Sequence, residues 1–434
     1  MGVNKNKMKI LLEAPILTQS GYGQHSRVVF DSLRDKGYDI YINPLNWGTT
    51  PWTDNTDTEI NESIHKFKTY RASINTKDSN MEYDMQIHVG ILNEFEKKAP
   101  YSVCVTAGIE TDRVSSNWLL KTHSGVDKII VPSEHAKSGF INTAYEVHNN
   151  QVNERQLLEC ACPVDVVPYP VKKHDSQEIN LELETKFNFL TMALLGPRKN
   201  IENLITWFLQ EFKDEPDVGL VVKTAFSKGS KIDRTKTVKH LKNIVKQNAN
   251  SKCSVYLLHG NLKEEEISHL YKDPNINVFV TTTHGEGYGL PIFEAAYSGM
   301  PVVATDWSAH LDFLSAPYKE SGKVKEKKLF SKVAYNMGEI PKSAVWDDIL
   351  VDGSKWAYPI EKSFKEQIRK TYKNYGMYKK WSESLQKHIL ENYEESVVYE
   401  KMYLSLIPEE LRDPINSADK EIEDIFASLS QISE

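Results

Sequence analysis

The chain has 434 residues, of which 40% are hydrophobic and 26% charged, and its formal net charge is −7. This length exceeds what one average hydrophobic core organises, so we predict two domains. The acidic balance disfavours sequence-independent binding to nucleic acid, because neutralisation of phosphates by basic side chains drives such binding. With only four cysteines the chain is too poor in cysteine for a disulfide framework, which fits a reducing cytoplasm.

Neither secretion nor a membrane span is expected. The N-terminal segment, MGVNKNKMKILLEAP, is predicted to be a short tail that enters a first strand, and it lacks the length of a signal peptide. No apolar run approaches the ~20 residues of a membrane span, although peripheral contact with a membrane surface stays open. Cys160 and Cys162 are interpreted as small apolar side chains, because no partner pair follows that would complete a metal site.

Strands and helices alternate along the first half. The predicted strands are 8–14, 38–42, 85–90, 101–106, 126–132 and 164–170. A helix is predicted over 26–36, another around 118–120, and a third after Ser133, which is a good N-cap. Residues 46–82 are expected to be loops around a short helix. Residues 172–184 form a charged linker after Pro168 and Pro170.

The alternation restarts in the second half. The predicted strands are 187–195, 218–223, 255–258, 276–283 and 301–304. The predicted helices are 201–212, 263–271, 363–375 and 378–405, with Gly376 as the break between the last two and an exposed insertion at 317–343. Repeated β–α units in both halves predict two doubly wound parallel-sheet domains, each with its ligand at the carboxyl ends of the strands.

The glycine-rich turn at 285–289 is the strongest candidate for a functional site. It connects a buried strand to a helix that has Pro291 just inside its start and Gly299 at its end. Free amide groups at a helix N-terminus attract phosphate, and glycines let the backbone approach a ligand closely. Two glutamates, Glu286 and Glu294, flank this point, and ionised carboxylates accept hydrogen bonds from sugar hydroxyls. The turn therefore suits an anion and a polyol together.

The stretch GEGYGLPIFEAAYSGMPVVAT resembles the signature of retaining glycosyltransferases of family 4. The resemblance implies the GT-B architecture, in which two Rossmann-like domains face each other across a cleft. It assigns 1–170 to an acceptor-side domain and 188–385 to a donor domain. Residues 386–434 would be a terminal helix that crosses back to the first domain and an acidic tail, with a short amphipathic helix at 422–429.

The resemblance also implies roles for the residues of this stretch. Glu286 would contact the donor sugar and act in catalysis, and Glu294 would bind the ribose of the nucleotide. The backbone of four residues between them would face the donor phosphate and sugar: Gly287, Tyr288, Gly289 and Leu290.

Further site residues follow from the same resemblance. In the turn PRKN, Lys199 matches a cation that reaches the donor diphosphate, and Lys223 is placed to supply a second positive charge. Such cations would stabilise the charge that develops on the leaving group. Gly21 and Gly23 match a glycine loop that lies across the cleft from the donor phosphates.

The acceptor side departs from the family pattern. Gly108 stands where many members have a histidine, and Glu110 fits a variant in which a glutamate lies slightly further on. Glu110 is therefore a candidate for accepting the acceptor's proton or orienting its hydroxyl, and its alternative role is a charge at the start of the following helix.

The expected activity is metal-independent, retaining transfer of a glycosyl group from a nucleotide-diphosphate sugar to a hydroxyl acceptor, without a cofactor. One alternative is a glycosyltransferase that modifies a hydroxymethylated DNA base, so nucleic acid enters only as an acceptor. Another is a non-catalytic nucleotide-sugar-binding scaffold, which the missing histidine at Gly108 keeps open. A dinucleotide-dependent oxidoreductase is disfavoured, because about half a dozen residues separate the first strand from Gly21.

Overall fold

The chain folds as two α/β domains, each built on a six-stranded sheet in which all neighbouring strands are parallel. A computed structural model describes residues 7–48, 50, 52, 57–74, 82–149, 154–227, 229–320 and 322–412. The predicted fold class of two doubly wound parallel-sheet domains is confirmed. Within the described ranges, no helix has both the length and the apolar content to cross a membrane.

The first domain has the strand order β2-β1-β3-β4-β5-β8. Its strands are β1 (Lys9–Ala14), β2 (Asp39–Pro44), β3 (Met85–Val89), β4 (Tyr101–Val105), β5 (Lys128–Val131), β6 (Tyr145–Asn149), β7 (Glu154–Leu158) and β8 (Val164–Val166), of which β6 and β7 form a separate antiparallel hairpin. Its helices are α1 (Gly21–Leu33), α2 (Thr58–Ser73), α3 (Ser116–Ser124) and α4 (Glu134–Ile141). The inner strands are buried along nearly their whole length, including polar side chains such as Gln86 and His88 of β3, because helices cover both faces of the sheet.

Two predictions for the first domain were wrong. The first helix begins at Gly21 and not at residue 26, because Ser20 caps it and accepts a hydrogen bond from the Gly23 amide. The glycines at 21 and 23 therefore lie in a helical turn and not in a loop. The helix within 46–82 is not short, since α2 runs for 16 residues from its N-cap Asp57.

The second domain has the strand order β11-β10-β9-β12-β13-β16. Its strands are β9 (Phe187–Met192), β10 (Val218–Lys223), β11 (Ser254–Leu258), β12 (Ile276–Val280), β13 (Val302–Thr305), β14 (Ser315–Glu320), β15 (Lys323–Lys328), β16 (Ser331–Val333), β17 (Tyr335–Glu339) and β18 (Lys355–Pro359). Its helices and those that follow are α5 (Ile201–Glu211), α6 (Lys231–Gln247), α7 (Glu264–Lys272), α8 (Leu290–Tyr297), α9 (Glu361–Lys373), α10 (Tyr375–Asn392) and α11 (Glu395–Leu406).

Two further predictions are corrected in the second half. The segment 317–343 is only partly an exposed insertion: β14 and β15 form a hairpin, but β16 pairs with β13 as the edge of the sheet. Gly376 does not separate the last helices, since it lies in the first turn of α10. The breaks fall at Asn374 and at Tyr393, where the backbone leaves the helical conformation.

The carboxyl-terminal helices and one hairpin connect the two domains. Helix α11 packs on α1, and the Lys128 ammonium of β5 donates to the Ser405 carbonyl at 3.0 Å. The hairpin of β17 and β18 reaches the loop after β4, where the Asp112 amide donates to the Lys355 carbonyl at 2.9 Å. The Lys355 amide in turn donates to the Asp112 carboxylate at 2.7 Å. The amphipathic helix predicted at 422–429 lies outside the described residues.

Candidate active site

A cleft of about 1060 Å³ lies between the carboxyl ends of the two sheets. The first domain contributes the start of α1, the segment after β2 and the loop after β4. The second domain contributes the turn after β9 and the loop between β12 and α8. Of the predicted site residues, those that line the cleft are Gly21, Glu110, Lys199, Glu286, Gly287, Tyr288, Gly289 and Leu290.

Glu286 lies in the turn between β12 and α8 and is held by contacts from three directions. Its carboxylate accepts from the Lys199 ammonium at 2.5 Å, from the Arg198 guanidinium at 3.0 Å and from the Thr283 hydroxyl at 2.8 Å. Its own amide donates to the Ser308 hydroxyl at 3.0 Å. The residue is only 7% exposed, so the turn presents a buried and oriented carboxylate at the wall of the cleft.

The two basic side chains decide the charge of Glu286. Burial raises the pKa of a carboxyl group, but the positive charges of Lys199 and Arg198 outweigh burial and hold the Glu286 pKa at about 2. Burial and the neighbouring guanidinium lower the pKa of Lys199, against the opposing effect of Glu286. Glu286 is therefore an acceptor of hydrogen bonds throughout the physiological pH range and not a general acid.

Arg198 is a site residue that the sequence reasoning missed. Its Nη2 lies 2.7 Å from Oε1 of Glu110, and its Nη1 donates to the Gly285 carbonyl at 2.6 Å as well as to Glu286. Glu110 belongs to the first domain and Glu286 to the second, so Arg198 joins carboxylates across the cleft. In the turn PRKN, Arg198 directly precedes Lys199, and this adjacency was the available signal for a second cation at the site.

Glu110 extends from the loop after β4 to the wall opposite Glu286. Its side chain is 23% exposed. Burial raises its pKa, Arg198 opposes that rise, and the negative charge of Glu286 adds to it. Glu110 thus has a greater proton affinity than an exposed glutamate, and its place in the cleft fits the predicted contact with an acceptor hydroxyl.

Glu294 lies on α8 and is not among the residues that line this cleft. Its carboxylate accepts a hydrogen bond from the Tyr271 hydroxyl at 3.0 Å. Burial raises the Glu294 pKa to about 7, and the hydrogen bond from Tyr271 opposes that rise. The two glutamates of the motif therefore have opposite electrostatic environments.

The two glycines of α1 have different surroundings. A Cβ atom at Gly21 would lie 3.7 Å from Cδ1 of Leu290, so Gly21 faces the start of α8 across the cleft. A Cβ atom at Gly23 would lie 2.1 Å from the Thr18 carbonyl oxygen. Gly23 is away from the cleft, and its lack of a side chain lets α1 pack on the preceding turn.

Lys223 lies at the end of β10, but its ammonium donates to the Gly260 carbonyl at 2.7 Å. Burial lowers its pKa. It does not line the cleft. In this structure Lys223 holds the loop after β11, and Arg198 occupies the place of a second cation beside Lys199.

Two glycines in the loop between β12 and α8 bring the backbones of the two domains into contact. A Cβ atom at Gly287 would lie 1.8 Å from the Ala107 carbonyl oxygen, and one at Gly285 would lie 2.2 Å from the Glu110 carbonyl oxygen. Both distances are far shorter than any carbon–oxygen contact, so only glycine fits. The sequence predicted close approach to a ligand at this turn, and the structure adds close approach to the first domain.

The other residues of the loop between β12 and α8, and the first residue of α8, have distinct structural roles. Gly289 has a φ of +95°, which glycine adopts without strain, and it is the N-cap of α8. Tyr288 is 4% exposed, and its ring centroid lies 4.8 Å from that of Tyr169 in the first domain. Leu290 begins α8 and lines the cleft.

Gly108, which stands where the family pattern has a histidine, lies next to the side chain of Tyr22. A Cβ atom at Gly108 would lie 3.1 Å from the hydroxyl oxygen of Tyr22, which belongs to α1. That hydroxyl accepts from the Ala107 amide at 3.1 Å and lies 2.9 Å from the Thr106 hydroxyl. Gly108 lines the cleft, and a side chain at this position would press on the hydrogen-bonded Tyr22 hydroxyl.

Known proteins resemble this chain in part of its sequence and in its fold. Residues 172–320 match the family described as glycosyl transferases group 1, whereas the search against curated proteins gives no match. Sucrose-phosphate synthase from Thermosynechococcus elongatus is 13% identical and superposes with a TM-score of 0.56 over 97% of this chain and 100% of its own. A UDP-forming α,α-trehalose-phosphate synthase from Burkholderia xenovorans is 8% identical, with a TM-score of 0.52 over 92% and 98%.

A further solved structure covers less of its own chain. The pneumococcal O-GlcNAc transferase GtfA, in complex with UDP and GlcNAc, has a TM-score of 0.44 at 15% identity over 73% of this chain. The present chain spans 55% of the length of GtfA. Identities this low show the fold alone, and the two superpositions over nearly full length show that the chain has the GT-B fold.

Proposed function

We propose that this protein transfers a glycosyl group, with retention of configuration, from a nucleotide-diphosphate sugar to a hydroxyl acceptor. The observation that carries the proposal is the buried Glu286 carboxylate, which Lys199 and Arg198 hold at the cleft directly before the N-terminus of α8. The Glu286 carboxylate accepts hydrogen bonds from sugar hydroxyls. The Lys199 ammonium and the free amides at the start of α8 attract a diphosphate. The match of residues 172–320 to group 1 glycosyl transferases supports the same reading.

In the proposed reaction the charges of the site stabilise the leaving group. The acceptor oxygen bonds to the anomeric carbon on the face from which the diphosphate departs, and the carbon–oxygen bond to the diphosphate breaks. The acceptor's proton goes to the departing diphosphate or to Glu110. Lys199 and the amides at the start of α8 stabilise the negative charge that develops on the diphosphate. Contact between the domains excludes water that would otherwise hydrolyse the donor.

The test of the proposal is a thermal-shift screen of nucleotide sugars, followed by product analysis. A donor that binds only the folded state raises the melting temperature with increasing concentration. The bound donor should then undergo slow hydrolysis, and the anomer released first should keep the donor's configuration. Absence of any shift across UDP-, GDP- and ADP-sugars would overturn the proposal, whereas binding without hydrolysis or transfer would favour the scaffold alternative.

The DNA-modifying alternative gains no support from the described part of the cleft. The first-domain residues that line it include no lysine or arginine, and their one charged side chain is Glu110. A DNA acceptor requires basic side chains along its phosphates. A cytoplasmic location, and peripheral contact with a membrane, stay predictions from the sequence.

The Glu294→Ala variant should bind the donor at least tenfold more weakly. If Glu294 accepts the ribose hydroxyls, its removal deletes hydrogen bonds to a charged group, each contributing about 1.5–3 kcal/mol. Calorimetric titration with the nucleotide sugar found in the screen measures the loss. The matched control is Glu366→Ala, which removes an exposed glutamate on α9. Equal donor affinity in Glu294→Ala and wild type would sink the assignment of the ribose contact.

Donor affinity should rise with pH. The Glu294 pKa of about 7 means that ionised carboxylate, the form that accepts two hydroxyl donors, increases between pH 6 and pH 8. Over these two units the ionised fraction grows about tenfold, and donor affinity should follow it. Intact nucleotide sugar is the ligand to titrate, since its diphosphate keeps a constant charge there. Glu294→Gln should flatten the profile, and a pH-independent affinity in the wild type would contradict the ribose contact.

A further inference from the structure

Three described aromatic residues of the first domain line the cleft, namely Tyr22, Trp47 and Tyr169, of which Tyr169 is buried against Tyr288. Tyr22 is in the first turn of α1, and Trp47 follows β2. Their ring centroids are 4.1 Å apart, with the planes inclined at 33°, so the indole rests against the tyrosine ring. Both residues line the cleft, but Tyr22 is buried whereas Trp47 is half-buried. Trp47 is therefore the aromatic surface that the first domain presents to a ligand.

This aromatic surface has a rigid support. The Tyr22 hydroxyl is held by the Ala107 amide and the Thr106 hydroxyl at the end of β4. Burial raises the Tyr22 pKa to about 12, so its hydroxyl stays protonated. Tyr22 thus cannot turn away from the indole without losing these hydrogen bonds. A supported indole offers a flat binding surface at a low entropic cost.

The groups around Trp47 are polar and carry little charge. The cleft wall on this side also contains Gln19, Ser20, Thr50 and Glu110. Among the described first-domain residues on that wall, the single charge is the carboxylate of Glu110. The cations among the described residues that line the cleft, Arg198 and Lys199, belong to the second domain and are paired with Glu110 and Glu286. This wall therefore suits hydroxyl donors, and its described residues offer no cation of their own to an anionic group.

We infer that the wall around Trp47 is an acceptor subsite for a neutral saccharide, an inference that rests on the proposed glycosyl transfer. A pyranose ring has an apolar C–H face that packs on an indole, and its hydroxyls donate to carboxylate and amide oxygens. A phosphorylated acceptor or a nucleic acid would bring negative charge to Glu110 without a free cation on this wall. A lipid chain would require an apolar groove, which Gln19, Ser20 and Thr50 interrupt.

The position of this subsite also suits the chemistry. Glu110 is joined through Arg198 to Glu286, so a saccharide bound between Trp47 and Glu110 has a hydroxyl near the donor sugar. That hydroxyl oxygen bonds to the anomeric carbon of the donor as the bond to the diphosphate breaks, and its proton goes to the departing diphosphate or to Glu110. Trp47 orients the acceptor and takes no part in bond making.

The variant Trp47→Ala tests the subsite, with Trp47→Phe and Trp346→Ala beside it. Phenylalanine keeps a flat ring, and Trp346 is an exposed tryptophan outside the cleft, which makes it the matched control. The donor is the nucleotide sugar with the largest thermal shift. The acceptors are maltose, cellobiose and lactose, compared with glucose 6-phosphate and an oligonucleotide containing 5-hydroxymethylcytosine. Transfer, donor hydrolysis and KM for each substrate are measured.

We expect wild-type protein to glycosylate at least one of the neutral disaccharides. Trp47→Ala should raise the acceptor KM at least tenfold while donor KM and donor hydrolysis keep their wild-type values. Trp47→Phe should show a smaller rise and Trp346→Ala none. Transfer only to the phosphorylated sugar or the oligonucleotide overturns the inference, as does donor hydrolysis without transfer to any neutral disaccharide. An unchanged acceptor KM in Trp47→Ala also overturns it. If wild-type protein neither binds nor hydrolyses any nucleotide sugar, the proposed function itself fails.

Discussion

Replacing Gly287 with alanine should lower kcat/KM for glycosyl transfer at least a hundredfold. A Cβ atom there would lie 1.8 Å from the Ala107 carbonyl oxygen, so the loop between β12 and α8 must move away from the first domain. Displacement of reacting groups by about 1 Å is enough for a loss of roughly a hundredfold. Donor affinity should change only a few-fold, because Glu286, Lys199 and α8 all belong to the second domain.

Steady-state kinetics and small-angle X-ray scattering check this prediction together. The scattering radius should increase as the domains separate, while circular dichroism keeps the wild-type secondary structure. The matched control is Gly196→Ala, because a Cβ atom at Gly196 has no neighbour within 4 Å although it lies in the turn that carries Lys199. Turnover by Gly287→Ala at half the wild-type rate or more would show that the contact with Ala107 is not needed for catalysis.

Replacing Arg198 with glutamine should lower turnover about a hundredfold and destabilise the fold by about 2 kcal/mol. Removing one partner of a buried ion pair costs about 3–5 kcal/mol, and the 20% exposure of Arg198 and 23% of Glu110 reduce that figure. Glu286 keeps Lys199 as a partner, whereas Glu110 loses the guanidinium 2.7 Å away. Glu110 should then bind a proton more readily, since Arg198 opposes the rise in its pKa.

The pH dependence of stability gives a second readout for Arg198. The lowered pKa of Glu286, about 2, stabilises the fold above the pKa of an unfolded glutamate, about 4.3, and that stabilisation is lost as pH falls toward 2. Without Arg198 the Glu286 pKa should move upward. The difference in melting temperature between wild type and Arg198→Gln should therefore be larger at pH 7 than at pH 3.

Arg369, which like Arg198 is paired with two glutamates, is the control that separates a catalytic role of Arg198 from a structural one. Arg369 donates to Glu211 at 2.6 Å and to Glu215 at 2.8 Å, both outside the cleft. Arg369→Gln should lower the melting temperature and leave turnover unchanged, and Arg198→Lys should recover part of the activity. A double variant of Arg198→Gln with Glu110→Gln should be less impaired than the sum of the single variants, because the two residues act as a pair. Additive losses would contradict the bridge across the cleft.

Several features of the fold follow from local sequence alone. The apolar runs of β9, β10 and β12 and the amphipathic pattern of α5 were placed within a few residues of their observed ends. The start of α8 was also placed, from Pro291 in its first turn. These features depend on neighbours within a few residues, where periodicity and capping chemistry decide the conformation. The start of α1 was missed because Gly21 and Gly23 favour a loop by propensity, and the Ser20 cap overrides it.

By itself, the sequence determined candidate residues on the second-domain side of the site. The spacing of Glu286 and Glu294 and the cation at Lys199 follow from residues that lie close together in the chain or match a family pattern. The other side was decided by tertiary structure: Arg198 bound to Glu110, Tyr22 over Gly108, and Gly287 against Ala107. Each of these contacts joins residues more than 80 positions apart. No local pattern encodes such pairs, because they form only when segments far apart in the chain come together, within the first domain for Tyr22 and Gly108 and between the domains for the other two.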